Sequence, residues 1–362
     1  MKKEDLLSLA KIACETIMST FTPYQLPPAG HFHYHQSVFL DSMYRLYQVT
    51  DDETYFEYIK GYYDSLIDEN GNLYFDRDQL DSLQVGTLLF PLYEKTKDER
   101  YLIVAKRLMH IIYSINKTSE GGFWHKDKYP YQMWLDGLYM SGPFLLQCAH
   151  YFQMPDLVFQ VLMQEKLMRK HMYNPSTGLL YHAWDEKKVQ PWASPETGCS
   201  PEVWGRSAGW YGVALVELLK LLPKYSPARE DIKDKLKNYS KVLLGYQDKE
   251  SHCWYQIVDK PEREDNWLES SGSALFVYII ARSVSLGLLD ESYKEVVEDA
   301  FKGIIKEMVT IEDNKFSLNS ICIGTSAGVY DYYIERPTSI NDLHGVGAFI
   351  WALLAIYDLK DE

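Results

Sequence analysis

One helical pattern recurs six times along this chain of 362 residues. Each copy begins with a run of small and aromatic residues that is apolar almost all the way round, as is typical of a helix buried on every side. The six apolar runs begin at Ser37, Val85, Asp136, Gly209, Gly272 and Gly345. A pattern that recurs in this way along a sequence indicates a repeat architecture. The chain is therefore predicted to consist of successive copies of one helical unit.

A short polar break and an amphipathic run follow each of the first five apolar runs, as in TDDETY followed by YFEYIKGYYDSLI. The N-terminal segment from Lys3 to Ser19 supplies a sixth amphipathic helix, which can pack beside the last apolar one. The predicted fold is therefore all-α: an (α/α)6 barrel of six inner and six outer helices, forming one domain over residues 1–362. An open solenoid and a two-domain helical protein are the alternatives, and a solenoid usually shows polar capping repeats that this sequence lacks.

Charge and cysteine usage narrow the class of protein. The net charge of −14 argues against nucleic acid, an anionic membrane or a long polyanion as partner, because these ligands need basic patches. Five scattered cysteines without a CxxC pair indicate reduced thiols rather than disulfides or a zinc site. Glu4 and Asp5 interrupt any signal-peptide core, and no apolar run reaches the roughly 18 residues of a membrane span. We expect a soluble, cytoplasmic protein.

The loops that return from outer to inner helices are long and rich in polar and aromatic residues. Five of them lie at the same phase of the repeat, and the segment HFHYHQ precedes the first inner helix. In a closed ring these segments meet at one mouth, where a rigid scaffold would position functional residues.

Asp81 and Asp136 both begin an inner helix and are 55 residues apart, which is one repeat. A single aspartate in this position is more often a helix N-cap. Two at equivalent phase, surrounded by His and Trp, favour a functional pair at the mouth. Because a neighbouring carboxylate and burial both favour protonation, such a pair is predicted to hold one proton near neutral pH, as acid–base catalysis requires.

Further candidate ligands for a sugar flank the two aspartates. His125 and His182 occupy the same place in consecutive return loops, and Arg206 begins the fourth inner helix. Arg206 either pairs with one of the acids or captures a carboxylate through its planar guanidinium. Three tryptophans nearby either stack on a sugar or belong to the core: Trp134, Trp204 and Trp210.

Three histidines alternate in HFHYHQ, at His31, His33 and His35. In an extended chain they would share one face and could bind a metal ion. No acidic or cysteine cluster near them completes a ligand set, so no metal site is predicted. Glycine-rich phosphate loops, serine nucleophile elbows and HExxH are likewise missing from the sequence, and no cofactor is predicted.

Several motifs, in order and spacing, resemble those of the unsaturated rhamnogalacturonyl and glucuronyl hydrolases. They are HYHQSVFL, DSLQVG, FWHKDKYPYQMWLDGLYMSGPFL, LLYHAWD, WGRSAGWYGVALVELL, GTSAGVYDYY and NDLHGVGAF, between about Phe32 and Leu354. The resemblance implies an (α/α)6 barrel that removes an unsaturated uronic acid from the non-reducing end of short oligosaccharides made by polysaccharide lyases. It also implies hydration of the C4=C5 double bond rather than attack at the anomeric carbon.

The same resemblance implies roles for individual residues. Asp136 would be the acid that protonates C4 and the base that activates water. Asp81 would position the water or sugar and raise the proton affinity of Asp136. The substrate-binding positions would be Tyr34, His125, His182, Arg206 and Trp210.

Two other classes of function are compatible with such a mouth. A sugar epimerase on the same barrel would use the histidines as bases, and a carbohydrate-binding protein would need no catalytic acid. Within the hydrolase reading, galacturonyl linked to rhamnose is the leading substrate and unsaturated glucuronyl oligosaccharides are the alternative. The predicted partner is a small unsaturated oligosaccharide, because its single uronate charge can be met by local cations despite the negative overall charge.

Overall fold

The computed structural model describes residues 1–74 and 77–360 and is mainly helical. Phe75 and Asp76, in the return loop before Asp81, lie outside the described residues, as does the end of the predicted domain at 361–362. In chain order the α-helices of the described part are α1 (Lys3–Thr20), α2 (Tyr34–Thr50), α3 (Glu53–Leu66), α4 (Asp81–Gln84), α5 (Leu89–Thr96), α6 (Glu99–Met109), α7 (Ile111–Ser114), α8 (Gly137–Tyr151), α9 (Asp156–Met172), α10 (Gly205–Leu221), α11 (Ala228–Gly245), α12 (Ser270–Ser285), α13 (Tyr293–Met308), α14 (Tyr330–Ile334) and α15 (Leu343–Leu359).

Six helical segments form a closed inner ring. Helix α2, the α4–α5 pair, α8, α10, α12 and α15 pack in that order, and α15 packs back onto α2. Outside them lie α3, α6, α9, α11, α13 and α1, each of which packs mainly on one inner helix, with α1 lying chiefly against α15. The predicted (α/α)6 barrel is therefore confirmed, including the use of the N-terminal helix as the sixth outer one.

Small residues bring neighbouring inner helices close together. A Cβ added at Gly209 of α10 would lie 2.6 Å from Leu275 of α12, and one at Gly212 would lie 2.4 Å from Ile279. Such distances are below van der Waals contact, so only glycine permits this approach. This packing explains why the inner runs combine glycine and alanine with large apolar residues.

The second inner helix is interrupted, which the sequence did not predict. Between α4 and α5 the chain forms a 3-10 turn at Val85–Leu88. Pro91 lacks the N–H that would bond the Thr87 carbonyl in a continuous helix. The freed carbonyls find other donors: Gln147 donates to Thr87 at 3.2 Å, and the Tyr63 hydroxyl donates to Val85 at 2.6 Å.

Three short antiparallel sheets lie in the return loops. They pair β1 (Gln132–Trp134) with β2 (Ala183–Asp185), β3 (Val309–Glu312) with β4 (Lys315–Leu318), and β5 (Ile321–Cys322) with β6 (Thr338–Ser339). The first sheet joins consecutive loops at the mouth, and next to it the Leu135 amide donates to the His182 carbonyl at 2.8 Å. The pairing therefore brings Asp136 beside His182.

Two further observations bear on the predicted setting of the protein. All five cysteines lie in the described residues, where each is buried and free of disulfide bonds. Across 1–74 and 77–360, no helix combines the length and the apolarity that crossing a bilayer needs.

Candidate active site

A cavity of about 300 Å³ opens at the N-terminal ends of the inner helices. Tyr34 begins α2, Asp81 begins α4, Asp136 precedes α8, and Arg206 is the second residue of α10. The equal phase of the repeats therefore brings these positions together. Six of the seven predicted site residues line the cavity: Tyr34, Asp81, His125, Asp136, Arg206 and Trp210.

Asp136 lies between two imidazoles. Its side chain accepts no capping hydrogen bond from the described backbone amides of α8, although it occupies the N-cap position. Its Oδ1 is 3.7 Å from His182 Nε2, and its Oδ2 is 3.8 Å from His125 Nε2. Capping therefore does not explain this aspartate, whose carboxylate faces the cavity.

Asp81 is held by a cation that the sequence did not single out. Lys126 Nζ lies 2.5 Å from Oδ2 of Asp81, and His125 Nε2 lies 3.3 Å from Oδ1. Both carboxylate oxygens thus face positive or polarisable groups, and His125 bridges the two aspartates. Nothing in the sequence distinguishes Lys126 from the exposed Lys128 two positions later, because only the fold turns one of them towards Asp81.

The two aspartates do not share a proton in the way that the sequence predicted. Burial raises the pKa of Asp136, but His125 and His182 outweigh burial and hold that pKa below its usual value. For Asp81, burial is likewise outweighed by Lys126 and His125, and its pKa lies well below the usual range. The prediction considered burial and like charge but did not include Lys126 and the two histidines, which together favour the ionised form of both carboxyls in the free site.

Acid should destabilise the fold through these carboxylates. Because their folded pKa values lie below the usual value of 3.8, their stabilisation is fully present above that value and is lost as pH falls below it. We expect the urea midpoint to fall between about pH 5 and about pH 3, and to fall less in Asp136→Asn than in the wild type. An identical fall in both proteins would contradict this prediction.

The two histidines differ in position. His125 stacks on Trp134 with ring centroids 4.7 Å apart and lines the cavity. His182 is fully buried behind Asp136, where its Nδ1 lies 2.6 Å from the Tyr333 hydroxyl and Trp204 packs against its ring. The predicted substrate contact at His182 therefore needs correction, because in this structure the residue supports Asp136 from behind.

Arg206 faces the cavity without an acidic partner among the described residues. Its Nη2 donates to the Ile323 carbonyl at 2.6 Å, its Nη1 donates to the Cys322 carbonyl, and its guanidinium stacks 4.3 Å from the Trp204 ring. Of the two interpretations that the sequence left open for Arg206, pairing with one of the acids is therefore wrong. These contacts fix the plane of the guanidinium at the edge of the cavity, where an anionic ligand can reach it.

The tryptophans serve both packing and lining. Trp210 stacks on Tyr139 with centroids 4.8 Å apart and planes 9° apart, yet it also lines the cavity. Trp134 is sandwiched between His125 and Tyr129. The two interpretations that the sequence left open, core and sugar platform, are therefore compatible for Trp210, whereas the stacked neighbours of Trp134 favour packing.

One wall of the cavity comes from residues 324–336, which belong to one of the return loops and include the motif GTSAGVYDYY. Ser326 Oγ lies 3.1 Å from the Tyr129 hydroxyl across the mouth, and Arg336 Nε donates to Thr325 at 3.2 Å. The base of this segment is closed by β5 and β6. Its length was the available signal, since a long segment at the mouth phase is a candidate lining loop.

A comparison with family models decides the family. The model described as Glycosyl Hydrolase Family 88 matches residues 9–360. The chain belongs to glycosyl hydrolase family 88. The resemblance drawn from the motifs is thereby confirmed.

Relatives of this family 88 chain include solved structures and a named enzyme. A glycoside hydrolase of family 105 from C. acetobutylicum ATCC 824 is 35% identical, with coverage of 97% of this chain and 99% of that one and a TM-score of 0.90. The unsaturated rhamnogalacturonyl hydrolase YesR of Bacillus subtilis is 27% identical over 63% of this chain and 64% of YesR. An unsaturated glucuronyl hydrolase from Bacillus sp. GL1 shares the fold at a TM-score of 0.74 and 15% identity, with coverage of 98% and 96%.

Proposed function

We propose that this family 88 chain removes a 4,5-unsaturated uronic acid from the non-reducing end of short oligosaccharides made by rhamnogalacturonan lyases. The observation that carries the proposal is the environment of Asp136. Its buried carboxylate faces the cavity between His125 and His182 and caps none of the α8 amides that the structure describes. A carboxylate held in this way can give and take a proton at one defined place. The metal-free acid–base chemistry predicted from the sequence needs no further group.

Cations around the cavity support an anionic ligand. Lys126, Arg206 and Arg336 all line it, so a uronate carboxylate can be paired locally although the chain carries a net charge of −14. The volume of about 300 Å³ is at the lower end for small-molecule sites, which suits one sugar end better than a polymer. Trp210 also lines the cavity and adds an aromatic surface for the sugar.

The proposed reaction is hydration of the C4=C5 double bond. Asp136 donates a proton to C4, and water adds at C5 while Asp136 takes a proton from it. The resulting hemiketal opens, and the leaving sugar departs with its oxygen protonated. Because Asp136 is ionised in the free site, it must gain its first proton when substrate binds, as the uronate adds negative charge and excludes water.

Asp81 serves as a fixed anion in this scheme. Its pairing with Lys126 keeps it ionised, so it orients the water or a sugar hydroxyl, and its charge raises the proton affinity of Asp136. His125 lies between the two carboxylates and fixes their positions relative to each other. His182 contributes by holding Asp136 rather than by touching the uronate.

The leaving sugar is proposed to be rhamnose. The similarity to YesR, which is named an unsaturated rhamnogalacturonyl hydrolase, supports this choice over a glucuronyl substrate. The glucuronyl hydrolase similarity, at 15% identity, concerns the fold alone. A cytoplasmic location, suggested by the five free thiols, remains part of the proposal.

A panel of unsaturated disaccharides tests the proposal. We expect loss of the ultraviolet absorbance of the C4=C5 bond, with the highest kcat/KM for galacturonyl–rhamnose and a lower value for glucuronyl disaccharides. The saturated disaccharide is the control and should not react. A higher value for a glucuronyl substrate would overturn the choice of sugar, and no loss on any unsaturated uronide would overturn the reaction.

The epimerase alternative makes the opposite prediction for single variants. A histidine-based epimerase would keep its activity in Asp136→Asn and lose it in His125→Ala. Measuring both variants on the same panel, together with saturated uronates as epimerase substrates, separates the two classes of enzyme.

A further inference from the structure

Two histidines and an aspartate meet where the first and last inner helices close the ring. His35 lies in the first turn of α2, while Asp342 is the N-cap residue of α15 and His344 lies in its first turn. Asp342 Oδ1 is 3.0 Å from His35 Nδ1 and 2.8 Å from His344 Nδ1. One donor atom from each of the three residues lies within 4.8 Å of the others. The cluster joins positions about 300 residues apart in the sequence.

Helix capping does not account for this arrangement. The Asp342 side chain caps none of the described amides of α15, although it occupies the N-cap position. His344 is fully buried, and its Nδ1 contacts the same carboxylate oxygen of Asp342 as the Nδ1 of His35. The Asp342 oxygen therefore lies between two imidazole nitrogens rather than over the free amides of α15.

We propose that His35, Asp342 and His344 bind one divalent transition-metal ion of the zinc class. Two imidazoles and one carboxylate are the ligand set of zinc, cobalt and nickel, whereas calcium and magnesium prefer oxygen ligands alone. Tetrahedral bonds of about 2.1 Å place neighbouring ligand atoms about 3.4 Å apart, so the two observed contacts of 3.0 and 2.8 Å would lengthen by about half an ångström when the ion binds. The histidine alternation in HFHYHQ thus yields one ligand, and the other two come from the end of the chain.

The cluster is reachable from solvent and is distinct from the Asp81–Asp136 pair. A second cavity, of about 640 Å³, is lined by His35 and Asp342 and lies between α1 and the segment that leads into α15. An ion can enter from this side, and water can complete its coordination. Once bound, the ion cross-links α2 to α15. His35 also lines the cavity that holds Asp81 and Asp136, but the inference does not rest on the proposed hydrolase activity, because its test measures metal binding.

Metal titration of the tag-free full-length chain tests the inference. After dialysis against a chelator, Co²⁺ should bind at one equivalent with visible absorption bands, and Zn²⁺ should displace it. Both ions should raise the unfolding temperature, because an ion that binds only the folded state stabilises it. Mg²⁺ and Ca²⁺ are the controls and should change neither signal. No binding near one equivalent would overturn the inference.

Variants locate the site. Asp342→Asn and His344→Gln should each weaken Co²⁺ binding by about 100-fold or more, in line with the loss of a ligand. His31→Ala removes an exposed imidazole from the same segment and should bind like the wild type. Helical circular dichroism without metal confirms that each variant is folded. If both folded variants retain wild-type affinity, or if His31→Ala loses it, the ion binds elsewhere and the proposal fails.

Discussion

The variant Asp136→Asn is expected to lose about a thousandfold in kcat/KM on an unsaturated uronyl disaccharide, since general acid–base groups contribute roughly 10²- to 10⁴-fold. The amide keeps the shape of the carboxylate but can neither donate the proton to C4 nor accept one from water. Because the Asp136 side chain caps none of the described amides, the helix itself should be unaffected. The measurement is the rate at which the ultraviolet absorbance of the double bond disappears.

Asp127→Asn is the matched control for this variant. Asp127 belongs to the same return loop and accepts a hydrogen bond from Asn116 at 2.8 Å, outside the cavity lining. It should retain activity within about a factor of two of the wild type, as expected of a surface change. Near-normal activity in Asp136→Asn would remove this residue from the mechanism, and equal losses in both variants would indicate a general disturbance of the loop.

The variant Asp81→Asn should lose both stability and activity. It leaves the ammonium of Lys126 partly buried without its counter-charge, at a side-chain exposure of 17%. Removing one partner of a buried ion pair costs about 3–5 kcal/mol, and we expect about 2–4 kcal/mol here because Lys126 is partly solvated. Urea unfolding measures this loss, and the fall in kcat should be about 100-fold or more.

A second substitution separates the two effects. In Asp81→Asn combined with Lys126→Met, no unpaired charge remains at this site, so stability should return to within about 1 kcal/mol of the wild type. Activity should stay low, because the fixed anion is still missing. The exposed pair Lys302–Asp299 is the control, and Asp299→Asn should cost less than about 1 kcal/mol. Recovery of activity in the double variant would show that Asp81 serves stability alone.

The barrel was predictable because its signal is local and repeated. Each inner run is apolar all round, and each outer run is amphipathic, so six copies specify two concentric layers. Because Asp81 and Asp136 lie at the same position of the repeat, the barrel brings them together. Their proximity follows from where two inner helices begin, and these starting points can be predicted from the sequence.

The rest of the site depends on contacts between distant segments. Lys126 reaches Asp81 across 45 residues. The pairing of β1 with β2 places His182 behind Asp136. Strands of three residues are too short for this pairing to be predicted from the sequence. Arg206 donates its hydrogen bonds to the main-chain carbonyls of residues 322 and 323. Every residue type has such a carbonyl, so the sequence cannot identify these acceptors. The prediction of a shared proton failed for this reason, since the cations that oppose it come from such contacts.

The packing of α15 on α2 has a consequence for how the protein is made. A ribosome releases α2 long before α15, so a nascent chain exposes the apolar sides of α2 and α12 until the last inner helix emerges. The cavity is also incomplete until residues 324–336 have emerged, because its lining combines them with residues 33–35. A chain truncated before α15 should therefore be inactive and prone to aggregate, and chaperone capture during synthesis should persist until α15 has emerged.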